Sequence, residues 1–314
     1  MPNILFIILG MAMLIKASDV MIDGASSLAR RFKISELIIA ITIVSFGTSA
    51  PELLISLSSA VKGYSDIALG NVVGSNMFNL LGILGIIGLI MPIISGGILM
   101  RNNILFLILA STLLIALPNT GIFGQAGTLG RGDGAVMLAV FAWFFFYICK
   151  NSKPEKTNAP PTQIKPLYNS ALRIILGLAA LIAGAEIVVH SAVALANALD
   201  IGEDIIAITI VAIGTSLPEL TVSFVAALKK KNDIAVGNII SSNIFNILFV
   251  LGLGSLVRPI TYSPEFNADI LLLIFGSAVL LWTMYASRQK KLTRPVSALF
   301  IMLYLCYLIY VIAR

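Results

Sequence analysis

The amino-acid sequence predicts an all-α polytopic membrane protein whose ten transmembrane helices form two five-helix repeats of inverted topology. Three observations support this fold class: an apolar composition, ten apolar stretches of membrane-spanning length, and a sequence segment duplicated between the two halves. Of the 314 residues, 58% are hydrophobic and only 11% are charged, whereas soluble domains carry roughly 25% charged residues. The composition therefore excludes a soluble protein.

Ten apolar stretches define the predicted helices. A helix needs about 20 residues to cross the ~30 Å hydrocarbon core, because each residue adds ~1.5 Å. The predicted spans are residues 2–27, 36–60, 66–91, 101–118, 132–149, 170–197, 204–228, 233–257, 266–286 and 295–313. The first span lacks the basic leader of a secretory signal and continues into Lys16, Asp19 and Asp23, so we expect it to be retained.

The predicted helices fall into two halves, residues 1–149 and 170–314, joined by residues 150–169. That joining segment contains four prolines and several lysines, which is typical of a polar linker. With the N-terminus outside, 16 lysines and arginines lie in inner loops and four on the outer side. Because cytoplasmic loops retain positive charge, the sequence predicts an outside N-terminus and a cytoplasmic linker.

An internal repeat relates the two halves. The stretch AITIVSFGTSAPE at 40–52 recurs as AITIVAIGTSLPE at 207–219, with ten of thirteen positions identical. DIALGNVVGSNMFNL at 66–80 recurs as DIAVGNIISSNIFNI at 233–247, with nine of fifteen identical and the same offset of 167 residues. Five predicted helices separate equivalent residues, and an odd number reverses the chain direction. The repeats are therefore predicted to be inverted, with equivalent residues meeting near the bilayer centre.

The first repeated segment places a glutamate beside a helix-breaking sequence in helices 2 and 7. The two copies are Gly47, Thr48, Ser49, Pro51 and Glu52, and Gly214, Thr215, Ser216, Pro218 and Glu219. Proline removes a backbone donor, so each helix should kink here and direct freed carbonyls inward. An ionised glutamate at mid-membrane costs at least ~2.5–3.5 kcal/mol, which makes Glu52 and Glu219 candidates for a functional site.

The second repeated segment gives helices 3 and 8 matching polar stripes. The stripe residues, four positions apart, are Asn71, Ser75 and Asn79, and Asn238, Ser242 and Asn246. Asn76 and Asn243 lie about 100° away from these stripes. Combined with Glu52 and Glu219, the stripes predict a cage of carboxylate, hydroxyl, amide and backbone oxygens, with hydroxyls from Thr48, Thr215, Ser75 and Ser242 and amides from Asn79 and Asn246.

An all-oxygen cage with two carboxylates suits hard cations. Calcium takes 6 to 8 oxygen ligands, whereas magnesium demands tighter octahedral geometry; sodium competes for the same oxygens as calcium. The single histidine and two cysteines do not support a transition-metal site or a disulfide framework. The sequence contains no phosphate-binding glycine loop and no nucleophile–base pair, so we expect no nucleotide, no other cofactor and no enzymatic activity, and its charge of +6 gives no reason to expect a nucleic-acid partner.

The paired G-T-S-x-P-E and G-N-x-x-[GS]-S-N-x-F-N segments resemble the two alpha repeats of the calcium/cation antiporters, specifically the prokaryotic sodium/calcium exchangers. The resemblance covers both repeats and implies a ten-helix protein of a prokaryotic plasma (inner) membrane. It implies exchange of calcium for sodium by alternating access, with helices 1 and 6 sliding past a comparatively fixed core. Members of the family often carry aspartate at one of the positions occupied here by Asn79 and Asn246, so this chain has one carboxylate fewer.

The resemblance also implies an ion-ligand set. Its members are Glu52, Glu219, Thr48, Thr215, Ser75, Ser242, Asn79, Asn246, Ser49 and Ser216, together with the backbone carbonyls of Ser45 and Ala212. From the residues alone, Ser49 and Ser216 are equally well explained as supports for the ligands. Isolated buried Ser, Thr and Asn residues in membrane helices often only join helices together. Duplication beside a glutamate favours ion binding for Thr48, Thr215, Ser75 and Ser242, whereas Asn71 and Asn238 are equally well explained as supports.

Two other functions remain open from the sequence. A calcium/proton exchanger would use the same carboxylates with protons in place of sodium, because burial can raise a carboxyl pKa into the accessible range. A passive cation channel would use the repeated glutamates as a selectivity ring. Asp19 and Glu186, equivalent acids on helices 1 and 6, are candidates for an access path. His190 and the lysines at 229–231 are interpreted as structural, the lysines as a topology anchor.

Overall fold

A computed structural model describes residues 2–91, 93–94, 98–151, 165–198, 212–286 and 291–313. Nearly all of these residues are helical, and two helices are broken into two parts. The bounds are α1 Pro2–Phe32, α2 Glu36–Thr48 and Ala50–Lys62, α3 Ser65–Ile90, α4 Ile98–Thr120, α5 Arg131–Asn151, α6 Leu167–Ala198, α7 Ala212–Thr215 and Leu217–Leu228, α8 Asn232–Val257, α9 Phe266–Ala286 and α10 Arg294–Ala313.

The helices give the protein the architecture of a multi-pass membrane protein. Among the described residues, eight helices are long and apolar enough to cross a membrane, and the two parts of α2 together make a ninth. Residues 204–211 of the predicted seventh helix and residues 152–164 of the predicted linker lie outside the described residues. The other predicted bounds agree with the observed ones to within five residues. The largest difference is in α1, which continues to Phe32 because a helix need not end where its apolar run ends.

The predicted kinks are confirmed in α2 and α7. The two parts of α2 are inclined at 51°, and Ser49 between them has φ −84° and ψ 11°. Ser216 occupies the equivalent break in α7 with φ −90° and ψ 8°. Pro51 and Pro218 then fall in the first turn of the second parts, where a missing backbone donor costs nothing.

Helices α3 and α8 form the centre of the bundle. The most apolar stretch of α8 is 94% buried and that of α3 is 78% buried, whereas the corresponding values for α1 and α6 are 28%. Both central helices widen into π-helical geometry, α3 at Phe78–Ile83 and α8 at Phe245–Leu251. Such segments are rare and occur often at functional sites.

Helices α1 and α6 pack closely along each other. A Cβ atom added to Gly10 would lie 2.7 Å from Val188 Cγ2, and one added to Gly177 would lie 2.8 Å from Met21 Cβ. Glycine at these positions therefore allows the two helices to approach more closely than any other residue would. The pair lies against the core through contacts with both broken helices.

Two short antiparallel strand pairs connect loops at the ends of the bundle. Strand β1 (Ile93–Ile94) pairs with β4 (Lys291–Leu292), and β2 (Thr128–Leu129) pairs with β3 (Ile260–Thr261). The α3–α4 loop thus lies beside the α9–α10 loop, and the α4–α5 loop lies beside the α8–α9 loop. Because α4 runs from the first pair to the second, the two pairs lie at opposite ends.

Candidate ion-binding site

Glu52 and Glu219 occupy equivalent positions just after the breaks in α2 and α7. Each lies in the first turn of the second part of its helix and is fully buried. The positive end of the helix dipole favours a carboxylate at this position. The two carboxylates are also close enough to interact electrostatically with each other. The breaks therefore place two acidic groups together in the interior of the protein.

The serines at the breaks cross between the two halves. The Ser49 hydroxyl donates a hydrogen bond to Oε1 of Glu219 at 2.8 Å, and the Ser216 hydroxyl donates to Oε1 of Glu52 at 3.1 Å. Ser242 adds a third hydroxyl, which donates to Oε1 of Glu219 at 3.4 Å. Oε2 of each glutamate is buried without a hydrogen-bond partner among the described residues. Each carboxylate therefore has one oxygen held by protein donors and one oxygen available to a cation.

The residues before the breaks approach the same glutamates. The side chains of Thr48 and Thr215 interact with Glu219 and Glu52, respectively. Thr48 also donates to the Ser45 carbonyl and to Oδ1 of Asn238, both at 3.3 Å. These crossed contacts place both threonines at the boundary between the two halves.

The sequence predicts that the helix breaks free backbone carbonyls, but the Ser45 carbonyl before the first break is hydrogen-bonded. The Ser45 carbonyl accepts the Ser49 N–H at 3.0 Å in addition to the Thr48 hydroxyl, so both of its lone pairs are occupied in this conformation. Ala212 begins the four-residue helix before the second break. There the Ser216 N–H donates to the carbonyl of Ile213 at 3.1 Å.

The polar stripes of α3 and α8 contribute both ligand candidates and supports. Asn71 Nδ2 donates to Ser56 Oγ at 2.8 Å, and Asn238 Nδ2 donates to the equivalent Ser223 Oγ at 3.1 Å. These bonds tie the second parts of α2 and α7 to the central helices. Asn71 and Asn238 therefore position the helices that carry the glutamates.

The other stripe residues are also buried, and Ser242 contacts Glu219 directly. Ser242 Oγ lies 3.1 Å from Ser45 Oγ, and Ser75 Oγ accepts a hydrogen bond from Asn246 Nδ2 at 3.3 Å. The Asn246 Oδ1 atom and both polar atoms of the Asn79 side chain are buried without partners among the described residues. Unpartnered buried oxygens are costly in an apolar interior, and a bound cation would satisfy them.

Asn76 and Asn243 join the centres of α3 and α8, although the sequence pattern placed them away from the polar stripes. Asn76 Nδ2 donates to the Asn243 carbonyl at 3.2 Å, and Asn243 Nδ2 donates to the Asn76 carbonyl at 3.0 Å. Their position on the helix, about 100° from the polar stripe, gave no reason to include them in the site. The one sequence signal for a role was that both copies of the S-N-x-F-N segment contain this asparagine.

The donor set fits a hard cation. The part of the chain that the structure describes has no group of three or more His, Cys, Asp or Glu side chains that would hold a metal ion. The site instead combines two carboxylates with neutral hydroxyl and amide oxygens, which are the ligands that calcium accepts. Its formal charge of about −2 would be balanced by one calcium ion or by two monovalent cations.

The remaining sequence candidates lie elsewhere. Asp19 and Asp23 on α1 both pair with Lys229. The side chains of Glu186 and His190 on α6 are exposed and form neither ion pairs nor hydrogen bonds with other described residues. The structure thus separates these candidates into a paired set and an unpaired set.

A buried pair of carboxylates surrounded by neutral oxygen ligands inside a bundle of membrane-spanning helices defines a membrane transport protein for cations. Residues 2–150 and 169–313 match the sequence model of the sodium/calcium exchanger protein family. The chain belongs to this family, which confirms the resemblance seen in the repeated motifs. Its relatives are cation exchangers rather than enzymes.

Individual relatives match over almost their whole length. The putative antiporter CaxA of Alkalimonas amylolytica is 34% identical, with 96% of each chain covered. The sodium/calcium exchanger MaX1 of Methanosarcina acetivorans is 29% identical, with 98% of this chain and 97% of that protein covered. The solved structure of the sodium-calcium exchanger NCX_Mj soaked with sodium and calcium has 31% identity and a TM-score of 0.82, covering 98% of this chain and 97% of that one.

Proposed function

We propose that the protein exchanges calcium for sodium across the membrane by alternating access, with the ions bound between the breaks of α2 and α7. The observation that carries this proposal is the crossed pairing of Ser49 with Glu219 and of Ser216 with Glu52. This pairing leaves one unpartnered oxygen on each carboxylate, and both oxygens are buried. The names of MaX1 and NCX_Mj, both sodium/calcium exchangers, support the choice of ions.

Charge balance explains how two ion fluxes are coupled at one site. An empty carrier would hold two unpaired carboxylates in a low-dielectric interior, which opposes the conformational change that switches the open side. Calcium neutralises both charges, and sodium ions do the same when they replace it. Only the ion-loaded protein then changes the side to which its site is open. Transport of one ion therefore requires transport of the other in the opposite direction.

The proposed ligand set follows the sequence expectation. The central ligands are Glu52 and Glu219, joined by Thr48, Thr215, Ser75, Ser242, Asn79 and Asn246, with Ser49 and Ser216 as supports of the carboxylates and the carbonyls of Ser45 and Ala212 completing the set. The Ser45 carbonyl would bind an ion only after the Thr48 hydroxyl turns away from it, because that hydroxyl now donates a hydrogen bond to the carbonyl.

The proposed architecture has ten spans in two inverted halves, residues 1–149 and 170–314, joined by a linker at 150–169. Reciprocal contacts at the offset of 167 residues support it, because the bonds of Ser49, Asn71 and Asn76 each have an equivalent in the other half. The bacterial and archaeal relatives support a prokaryotic inner membrane. The lysine and arginine distribution supports an outside N-terminus and a cytoplasmic linker.

Transport by purified protein in liposomes tests the function. With calcium outside and sodium inside, we expect calcium uptake by the wild type and background uptake by Glu52→Gln and Glu219→Gln, because each change removes half of the carboxylate charge. Glu265→Gln, at an exposed glutamate between α8 and α9, serves as the matched control and should transport normally. Full sodium-driven uptake by either site variant would refute the proposed site.

The same liposomes distinguish the alternatives. At clamped pH, an outward sodium gradient should drive calcium uptake, whereas a proton gradient without sodium should not. Uptake with the opposite dependence would identify a calcium/proton exchanger. Calcium flux that needs no counter-ion and does not saturate would identify a channel.

A further inference from the structure

Asn76 and Asn243 hold the two central helices together through a reciprocal pair of hydrogen bonds. Each side-chain nitrogen donates to the backbone carbonyl of the other residue, at 3.2 Å and 3.0 Å. Both side chains are fully buried. A carbonyl can only accept, so each amide must turn its nitrogen toward the opposite helix. Its Oδ1 atom is therefore fixed in the other direction.

The fixed Oδ1 of Asn76 contacts a proposed ion ligand. It accepts a hydrogen bond from Asn246 Nδ2 at 3.3 Å, and Ser75 Oγ accepts from the same nitrogen at 3.3 Å. Two acceptors thus hold the nitrogen end of the Asn246 amide. The Asn246 Oδ1 atom, which is buried and has no partner among the described residues, remains available to an ion.

The equivalent contact is not formed in the other half. Asn243 Oδ1 and Asn79 Nδ2 correspond, at the offset of 167 residues, to the two atoms of the Asn76–Asn246 bond. Both are buried without hydrogen-bond partners in the described parts of the chain. Asn243 therefore joins the helices as Asn76 does but does not orient a site amide.

We propose that Asn76 is a positioning residue for ion binding, which orients the Asn246 side chain so that its oxygen faces the cation. The inference rests on the proposed function, because it takes Asn246 as a ligand. A ligand held in place by a hydrogen-bonded neighbour loses less freedom when the ion arrives. Asn246 is then the fixed amide ligand, and Asn79 is the one that adjusts to the ion.

Calcium titration of the detergent-purified full chain in sodium-free buffer tests this role. We expect Asn76→Ala to raise the calcium Kd about tenfold, the lower end of the effect seen when the partner of a metal ligand is removed. Asn243→Ala is the matched control, since it removes the same kind of interhelical bond at the same depth but leaves Asn246 in place. Its Kd should stay within about twofold of the wild type, with any loss of melting temperature shared by both variants.

A double-mutant cycle separates positioning from packing. In an Asn246→Ala background there is no amide left to orient, so adding Asn76→Ala should raise the Kd by less than about twofold. Equal effects of Asn76→Ala and Asn243→Ala, or an undiminished effect in the Asn246→Ala background, would overturn the proposal while leaving the exchanger function intact. If the wild type bound no calcium, the proposed function would fail and this inference with it. Asn76→Ser takes the place of Asn76→Ala in the cycle if the alanine variant does not fold.

Discussion

At the scale of single residues, the site depends on hydroxyls that serve the carboxylate of the opposite half. Ser49 and Ser216 lie at the helix breaks, with backbone angles between the helical and extended regions, where many functional residues are found. Their hydroxyls point across the boundary to Glu219 and Glu52. Neither glutamate is thus positioned by its own repeat alone.

We expect Ser49→Ala and Ser216→Ala to weaken calcium binding to a similar extent. Each removes a hydrogen bond to a charged group, worth ~1.5–3 kcal/mol, from the glutamate of the opposite half. Calcium titration should show the Kd raised roughly tenfold or more in each variant. Ser59→Ala is the control, at a buried serine about three turns further along α2. A normal Kd in both site variants would show that the crossed bonds do not position the carboxylates for binding.

The two buried glutamates at the helix breaks were predictable from the sequence, but their contacts were not. Glu52 and Glu219 stood out because a mid-membrane acid is costly and occurs twice in register. The crossing of Ser49 to Glu219 depends on how the two halves face each other, which no local pattern encodes. The roles of Asn76 and Asn243 were not predictable either, because each forms its hydrogen bonds with the other half of the chain.

At the scale of elements, the breaks and the helices were predictable to different degrees. Glycine and proline predicted the breaks of α2 and α7, because their effect on a helix is local. The π-helical segments of α3 and α8 begin at Phe78 and Phe245, and no proline or glycine marks their first turn. Each begins two residues after the asparagine that bonds to the other central helix, and no local sequence pattern predicted it.

The loop between α7 and α8 fastens α1 to the core. Lys229 Nζ lies 2.6 Å from Asp19 and 2.8 Å from Asp23, and Lys231 lies 2.6 Å from Glu36. Burial lowers the pKa of Lys229, but hydrogen bonds and charges from Asp19 and Asp23 outweigh it and raise the pKa above the ordinary value. The lysine therefore stays charged, and the run predicted as a topology anchor also makes tertiary contacts.

The equivalent positions in the other half are Lys62, Glu186 and His190, where the described residues form no ion pair. Among the described residues, ion pairs of this kind therefore hold α1 but have no counterpart on α6. If α1 moves relative to the core during transport, the Lys229 contacts must break in the opposite-facing state. They therefore stabilise the state seen here.

We expect Lys229→Met to shift the carrier toward the opposite-facing state. Partly exposed ion pairs contribute ~0.2–1 kcal/mol each, so losing both should change the population ratio by about two- to thirtyfold. In oriented vesicles, the calcium KM should fall on one face of the membrane and rise on the other. Lys230→Met, at the exposed neighbouring lysine, should change neither. Changes of the same sign on both faces would show a general loss of binding instead.

At the scale of the whole molecule, reciprocal contacts connect the two halves at every level. The serine hydroxyls at each break bind the glutamate of the other half, and hydrogen bonds between Asn76 and Asn243 join α3 to α8. Strands β1 and β3, which are 167 residues apart, each pair with a loop of the other half. The sequence repeat predicted that the halves meet, because both copies carry the same polar residues. It did not predict the strand pairs, which are two residues long and lie in loops without a periodic pattern.

The orientation of the whole bundle can be tested at two equivalent loops. Lys62 is the last residue of α2 and Lys230 follows α7. With five spans between them, the proposed topology puts them on opposite faces. In a background where Cys149 and Cys306, both exposed, are replaced by serine, a membrane-impermeant maleimide added to intact cells should label Lys62→Cys. Lys230→Cys should react only after permeabilisation, because its loop carries three of the 16 inner positive charges.

The labelling pattern separates two errors. Reversed labelling would mean that the N-terminus is inside, with the inverted arrangement intact. Labelling of both cysteines from one face would mean an even number of spans between them, so the halves would be parallel. Equivalent residues such as Ser49 and Ser216 would then lie at corresponding depths without a two-fold relation, and the equality expected for their alanine variants would lose its basis.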